Sequence, residues 1–354
     1  MQVVYIHARP HGHPLHDKYG KSVATDTIFR DFKIRWHDVE VSAVKRYLSW
    51  IICAFSFPKK KSYDVFYSDG LVYFLVIMRK LCLIKKTQKI IGLIDDETLY
   101  FLQTGRYSKL ASFLIRYSIN NYDGFICVGN FETDLIKKVF IKEKPVKTIF
   151  NGVDNNRIVK LSGLNPNFKS KKILFIGSIL SENRAYYKGL KFLLESFEKM
   201  LVLDSELELN ILGDITVELK NKYLATISET AKRKIFFRGN VNNIENYLSD
   251  TLFYLHCSNG ESWGISVQEA MFSGVIPFVS DLTGVNEVVK VASTDLVFKA
   301  GDSEELLRKI SCFLNMPIEA KQKLSNQCRE VVKHYTSENA VLNFKEKFFE
   351  LAKS

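Results

Sequence analysis

Two carboxylates, a lysine and a few glycines form the strongest chemical pattern in this sequence. Glu261 and Glu269 stand with seven residues between them in Glu261-Ser-Trp-Gly-Ile-Ser-Val-Gln-Glu269. The segment follows an apolar run at 252–256 and precedes another at 275–279. Gly260 and Gly264 permit a tight turn, and helical spacing begins at Ile265, which predicts Glu261 in a loop and Glu269 early in a helix. Both carboxylates can then face the crevice at the carboxyl ends of parallel strands, where open α/β sheets bind ligands. A helix starting near Gly264 directs free N–H groups into that crevice, worth about 0.3–1 kcal/mol to an anion and roughly 2 when partly buried. That suits a diphosphate. Carboxylates are poor phosphate ligands but accept hydrogen bonds from sugar hydroxyls, so one is expected to hold a transferred sugar and the other, as an exposed acceptor, a ribose.

A second segment, Ile173-Leu-Phe-Ile-Gly177-Ser178, ends a predicted strand with glycine. Lys188-Gly189 then opens a clearly helical pattern, which puts Lys188 at a helix start beside the same crevice. A lysine there could neutralise a departing diphosphate.

The elements that must position these groups are legible as rhythm. Short apolar runs at 3–7, 65–68, 89–94, 125–128 and 147–150 alternate with helical patterns, and the alternation restarts at 172–176, 207–212, 235–237, 252–256, 275–279 and 295–298. Such alternation predicts two parallel sheets covered by helices. Residues 154–170 are rich in Asn, Lys, Ser, Gly and Pro and read as the connection, with the boundary near residue 165. A last helical pattern at 337–351 has no strand after it and is expected to pack back on the first domain.

Glu261 and Glu269 resemble the E-x7-E signature of the GT4 family of GT-B glycosyltransferases. The likeness extends to Asn151-Gly152-Val153-Asp154, to Gly177 with Lys188-Gly189, to Phe237-Arg238-Gly239-Asn240-Val241 and to Thr283-Gly284-Val285-Asn286-Glu287. It implies two Rossmann-like α/β domains facing across a cleft: an acceptor domain over 1–165, joined by a C-terminal helix at 337–354, and a donor domain over 166–336. It implies a retaining transfer from a nucleotide-sugar, with no metal and no cofactor. Glu261 would hold hydroxyls of the donor sugar and Glu269 the ribose. Backbone at Gly264, Ile265 and Ser266, with Gly177, Ser178 and Lys188, would meet the diphosphate, while Arg238, Gly239 and Asn240 would pass near the base. The sequence departs from the family twice. Ser178 stands where an arginine is usual, with Arg184 the nearest substitute. Ile94-Asp95-Asp96-Glu97 stands where the first domain often has a histidine, so Asp95 takes that role or the role is absent. These departures keep open an alternative, a GT-B-fold binding or regulatory subunit without catalysis.

Composition sets the outer limits. With 354 residues, 46% apolar and 25% charged, the chain fits two globular domains. Its six cysteines have no C-x-x-C spacing and read as buried thiols of a reducing, cytoplasmic compartment. No export signal opens the sequence, and no uncharged run reaches the ~20 residues of a membrane-spanning helix. Residues 1–150 carry 24 Lys and Arg against 14 Asp and Glu, the remainder 26 against 25. The basic half is expected to face an anionic partner. Apolar stretches ending in Lys59-Lys60-Lys61 and Lys85-Lys86 point to peripheral contact with an anionic membrane, and the acceptor is expected to be a glycan or lipid-linked glycan of cell-surface polysaccharide. Charge alone favours a nucleic-acid partner too, but no RRM, KH, zinc-finger or helix-turn-helix pattern accompanies it, so none is expected. His7, His11, His13 and His16 lie close in sequence without a supporting cysteine or helical H-x-x-x-H pair. They are expected to face acceptor or phosphate rather than a metal.

Overall fold

The computed structural model describes residues 1–7, 14–33, 63–71 and 73–354. His11, His13, the apolar run at 50–55 and the triplet Lys59-Lys60-Lys61 lie outside the described residues. Contacts divide the chain into two units, Met1–Asn151 with Ser337–Ser354, and Gly152–Thr336.

The first unit is built on six parallel strands: β1 (Gln2–His7), β2 (Ile28–Lys33), β3 (Val65–Asp69), β4 (Lys89–Ile94), β5 (Gly124–Val128) and β6 (Val146–Ile149), in the order β2-β1-β3-β4-β5-β6. All of β3 and β5 is buried, as expected of central parallel strands covered on both faces. One face packs Ile90, Ile94 and Phe125 against Leu75, Ile119 and Tyr122. The other receives the helix Ser337–Lys353, whose Phe344 and Phe348 are fully buried. Phe344 stacks on Tyr19 at 4.5 Å, and Lys89 Nζ donates to the Leu351 carbonyl at 3.0 Å. The strand β2 has no counterpart in the sequence reading, because a charged Arg-Asp pair interrupts its apolar residues at the sheet edge.

The boundary lies at Asn151, fourteen residues before the position near 165 expected from composition. The polar segment beyond it is a helix, Asn155–Ser162, capped by the Asp154 side chain and burying only Leu161. It belongs to the second unit: Val153 N donates to the Tyr335 carbonyl at 3.0 Å, and the Arg329 guanidinium donates to the Ser162 and Leu164 carbonyls.

That second unit has strands β7 (Lys172–Ile176), β8 (Glu208–Leu212), β9 (Ile235–Gly239), β10 (Phe253–His256), β11 (Pro277–Ser280) and β12 (Val297–Phe298), ordered β12-β11-β10-β7-β8-β9 and all parallel. The chain runs outward from β7 through β8 to β9, then returns to lay β10 on the other side of β7. Such a reversal opens a crevice at the carboxyl ends of the two strands. The run at 295–298 is only half strand, since Thr294–Leu296 forms a 3₁₀ turn.

All described cysteines are free, and Cys82 and Cys312 are exposed rather than buried. Both stand on the solvent side of their segments, a distinction that spacing along the sequence does not carry. Among the described residues no helix is long and apolar enough to cross a membrane.

Candidate active site

The crevice between β7 and β10 is where the predicted residues gather. Lys188 ends the short helix Glu182–Tyr187, and Gly189 follows it at φ +66°. A Cβ at Gly189 would lie 1.9 Å from the Cys257 carbonyl oxygen, so only glycine lets this turn press onto the loop after β10. Asn259 fastens the contact, its N–H donating to the Tyr187 carbonyl at 2.7 Å and its amide to Tyr186 at 2.9 Å.

Lys188 Nζ thereby donates to Glu261 Oε1 at 2.7 Å, with both residues buried. The other oxygen of Glu261 accepts from His256 Nε2 at 2.7 Å and from Ser258 Oγ at 2.6 Å. A carboxylate only accepts, so His256 carries a hydrogen on Nε2. Its Nδ1 lies 3.3 Å from the Tyr254 hydroxyl, which donates to Ser266 Oγ at 2.9 Å. Burial opposes ionisation of Glu261, but the charges and hydrogen bonds of Lys188 and His256 outweigh it and hold the carboxyl well below its ordinary range. A row of polar contacts thus runs from Lys188 to the start of the helix Ile265–Ser273. Gly264, at φ +112°, turns the backbone into that helix.

Glu269 is not the exposed acceptor expected from sequence. It is partly buried, and Arg157 Nε donates to its Oε1 at 3.0 Å while Arg157 Nη1 reaches Glu245 Oε1 at 3.1 Å. Burial raises its carboxyl, opposed by Arg157 and reinforced by Glu245. Glu245 Oε2 is buried with no hydrogen-bond partner. A helix that looked like a linker supplies this cation, which is why sequence spacing missed it.

The remaining predicted residues are placed unequally. A Cβ at Gly177 would lie 3.4 Å from Lys188 Cδ, so bare backbone borders the lysine. Ser178 is exposed and accepts from Asp214 N at 3.4 Å. Arg184 and Lys188 share one ring: the guanidinium lies 5.3 Å and the ammonium 5.4 Å from the Tyr187 centroid. Arg238 donates to Asn210 Oδ1 at 2.8 Å and borders a cavity of about 250 Å³ with Asn246 and Tyr247. Gly239 follows at φ +67°, with Asn240 exposed beyond it.

Asp95 lies in the first unit, after β4, beside Asp96 and Glu97. Burial, then repulsion from Asp95 and Glu97, pushes Asp96 up to about 6. Glu132, on the helix Gly129–Lys137, is fully buried with neither oxygen hydrogen-bonded, and burial with the nearby acids raises it well above its ordinary range. Among the described residues no cluster of His, Cys, Asp or Glu is arranged to hold a metal. His256, Ser258 and Tyr254 were not singled out from sequence as site residues. A histidine and two hydroxyls at the carboxyl end of an otherwise apolar strand were the available signal.

Residues 162–331, most of the second unit, match the family model described as glycosyl transferases group 1. The N-acetyl-alpha-D-glucosaminyl L-malate synthase of Bacillus anthracis is 24% identical over 241 residues, 63% of this chain and 60% of that protein. The match thus spans about three fifths of that relative. Sucrose-phosphate synthase from Thermosynechococcus elongatus superposes with TM-score 0.74 over 100% of both chains at 14% identity. A TarM variant from S. aureus, in complex with fondaparinux, alpha-GlcNAc-glycerol and UDP, superposes with TM-score 0.64 at 20% identity, covering 86% of this chain and 59% of that one. The fold is that of the GT-B glycosyltransferases, two α/β Rossmann-like halves with parallel sheets.

Proposed function

We propose that the chain is a GT4-type, retaining, metal-independent glycosyltransferase that moves a sugar from a uridine diphosphate donor to a glycan or lipid-linked glycan of cell-surface polysaccharide. The observation that carries this reading is the buried Lys188–Glu261 pair at the strand-order reversal between β7 and β10. The diphosphate would rest on the N–H groups at Ile265 and Ser266, with Lys188 and Arg184 balancing its charge in place of a metal. Glu261 would accept from hydroxyls of the donor sugar. Glu269 would accept from the ribose, and the loop Arg238–Asn240 would pass near the base. The acceptor hydroxyl would attack the anomeric carbon on the face from which the diphosphate leaves. As the new C–O bond forms and the old one breaks, the hydroxyl proton would pass to a departing phosphate oxygen. Asp95 would serve the acceptor side. The choice of uridine and of an N-acetylglucosaminyl or glucosyl group rests on what the relatives are named for or bind.

Thermal shift with a panel of nucleotide sugars tests the reading, since a ligand at one hundred times its Kd adds about 2.7 kcal/mol of stability. Stabilisation by a UDP-sugar together with its slow hydrolysis or transfer is the expected result. Stabilisation without any turnover would favour a catalytically silent binding subunit, and no stabilisation by any member overturns the proposal.

A further inference from the structure

The helix Lys109–Asn121 has an apolar side that faces the core and a second that does not. Ile115 and Ile119 are buried. Leu110, Phe113, Leu114 and Tyr117 recur at i, i+3, i+4 and i+7 and are exposed, Leu110 by 68% and Phe113 by 62%. That spacing puts four large side chains in one stripe along the solvent side. Isolated exposed apolar residues are ordinary, but a continuous row of them marks an interaction surface.

The neighbouring helix Tyr73–Lys80 and the turn after it extend the row. Ile77 is 42% exposed and Leu81 62%. Lys80 Nζ lies over the Tyr117 ring at 5.9 Å, which joins the two helices at this edge, and Phe113 stacks on Tyr117 at 6.0 Å. The rim is cationic. Lys80, Lys85, Lys86, Lys109 and Arg116 are exposed around the apolar side chains, and Asp123, the acid that follows the longer helix, is paired with Arg79 at 2.8 Å.

We propose that this face, the outer stripe of Lys109–Asn121 with Ile77 and Leu81, docks the first unit onto an anionic lipid surface. Phe113, Leu110 and Leu81 enter the boundary between headgroups and acyl chains, and the lysines and Arg116 meet lipid phosphates. A second copy of the same face is disfavoured, because two-fold pairing would set the cationic rims against each other. The proposal rests on exposure and charge alone and holds whichever sugar the chain transfers, or if it transfers none.

The test is sedimentation with vesicles of phosphatidylcholine alone and of phosphatidylcholine with one third phosphatidylglycerol, at low and high salt. Binding is expected to the anionic vesicles and to fall as salt rises. The double variant Leu110→Ser/Phe113→Ser is expected to lower partition about tenfold or more. Lys109→Glu/Arg116→Glu, which leaves the apolar stripe whole, is expected to lower it by roughly tenfold at low salt only. Donor binding by both variants should match the parent, which separates loss of docking from loss of the fold or of the donor site. Anionic vesicles left unbound at low salt, or bound equally by the parent and both variants, would overturn the assignment. Self-association of the parent that is abolished by Leu110→Ser/Phe113→Ser, without vesicle binding, would overturn it in favour of a second copy.

Discussion

Arg157 donates from Nε to Glu269 at 3.0 Å and from the end of the same guanidinium to Glu245, so a residue outside the signature segment governs one of its two glutamates. Arg157→Ala leaves two partly buried carboxylates without their shared cation. It is expected to lower stability by about 1–3 kcal/mol and to weaken UDP binding roughly tenfold, because Glu269 loses both its orientation and part of its ionisation. Glu269→Gln should weaken UDP binding with less effect on stability. Calorimetric titration of UDP against each variant checks both, and unchanged affinity in both would remove these residues from the nucleotide site.

The buried pair Lys188–Glu261 makes a single truncation ambiguous. Lys188→Met leaves the buried Glu261 carboxylate with only His256 and Ser258 as partners, and breaking such a pair costs about 3–5 kcal/mol, so lost turnover could reflect lost fold. The double variant Lys188→Met/Glu261→Gln is neutral and is expected to recover most of that stability while activity stays abolished. Thermal melts beside turnover measurements separate the two effects. Full activity in the double variant would show the pair to be structural only.

Acid should find the same pair. The folded carboxyl of Glu261 lies below its unfolded value, so its contribution is fully present above roughly pH 4.3 and is lost as pH falls through the depressed folded value. Glu261→Gln is therefore expected to flatten the acid limb of a stability–pH curve. An unchanged limb would mean that the pairing energy is matched in the unfolded chain.

In the first unit the sign is opposite. Asp96 keeps its proton up to about pH 6 in the fold and loses it near 3.9 when unfolded, so stability falls as pH rises between those values by on the order of 3 kcal/mol. Glu132, raised further by burial, extends the decline to higher pH. Glu132→Gln mimics the protonated acid and is expected to raise the melting temperature above neutral pH while changing little in acid. A destabilised Glu132→Gln at pH 8 would mean that the ionised form has a favourable role.

Arg184 offers the remaining test of the diphosphate reading. Its guanidinium shares the Tyr187 ring with Lys188, whereas Ser178 brings no charge. Arg184→Ala is expected to lower turnover roughly a hundredfold, the usual loss when one electrostatic contact to a developing anion is removed. Near-normal turnover would leave the diphosphate to Lys188 and the helix N-terminus.

What the sequence disclosed followed from which signals are local. The central strands β3, β4 and β5 carry short apolar runs, and glycines at 260 and 264 mark a turn that positive φ values require. Glu261 and Lys188 were found as types at a spacing. Their pairing was not, because it depends on β10 lying beside β7, a contact across 73 residues. The helix Asn155–Ser162 was hidden by its polarity: it buries a single leucine, so no apolar period announces it, and Arg157 disappeared with it. The burial of Glu269 was likewise beyond local spacing, since Arg157 and Glu245 approach it from distant segments.

The helix Ser337–Lys353 completes a sheet whose first strand begins at residue 2. During synthesis the first unit therefore has no finished core until the segment Ser337–Lys353 has left the ribosome, while Gly152–Thr336 is already whole. The half made second is ready first. A chain stopped before residue 337 would present the buried faces of Tyr19 and Tyr67, rings that Phe344 and Phe348 otherwise cover, as bare surface for quality-control proteins to seize. Integrity of the helix Ser337–Lys353 thus reports on a sheet whose strands lie about two hundred to more than three hundred residues before it, and a lesion in that helix would be felt at β1.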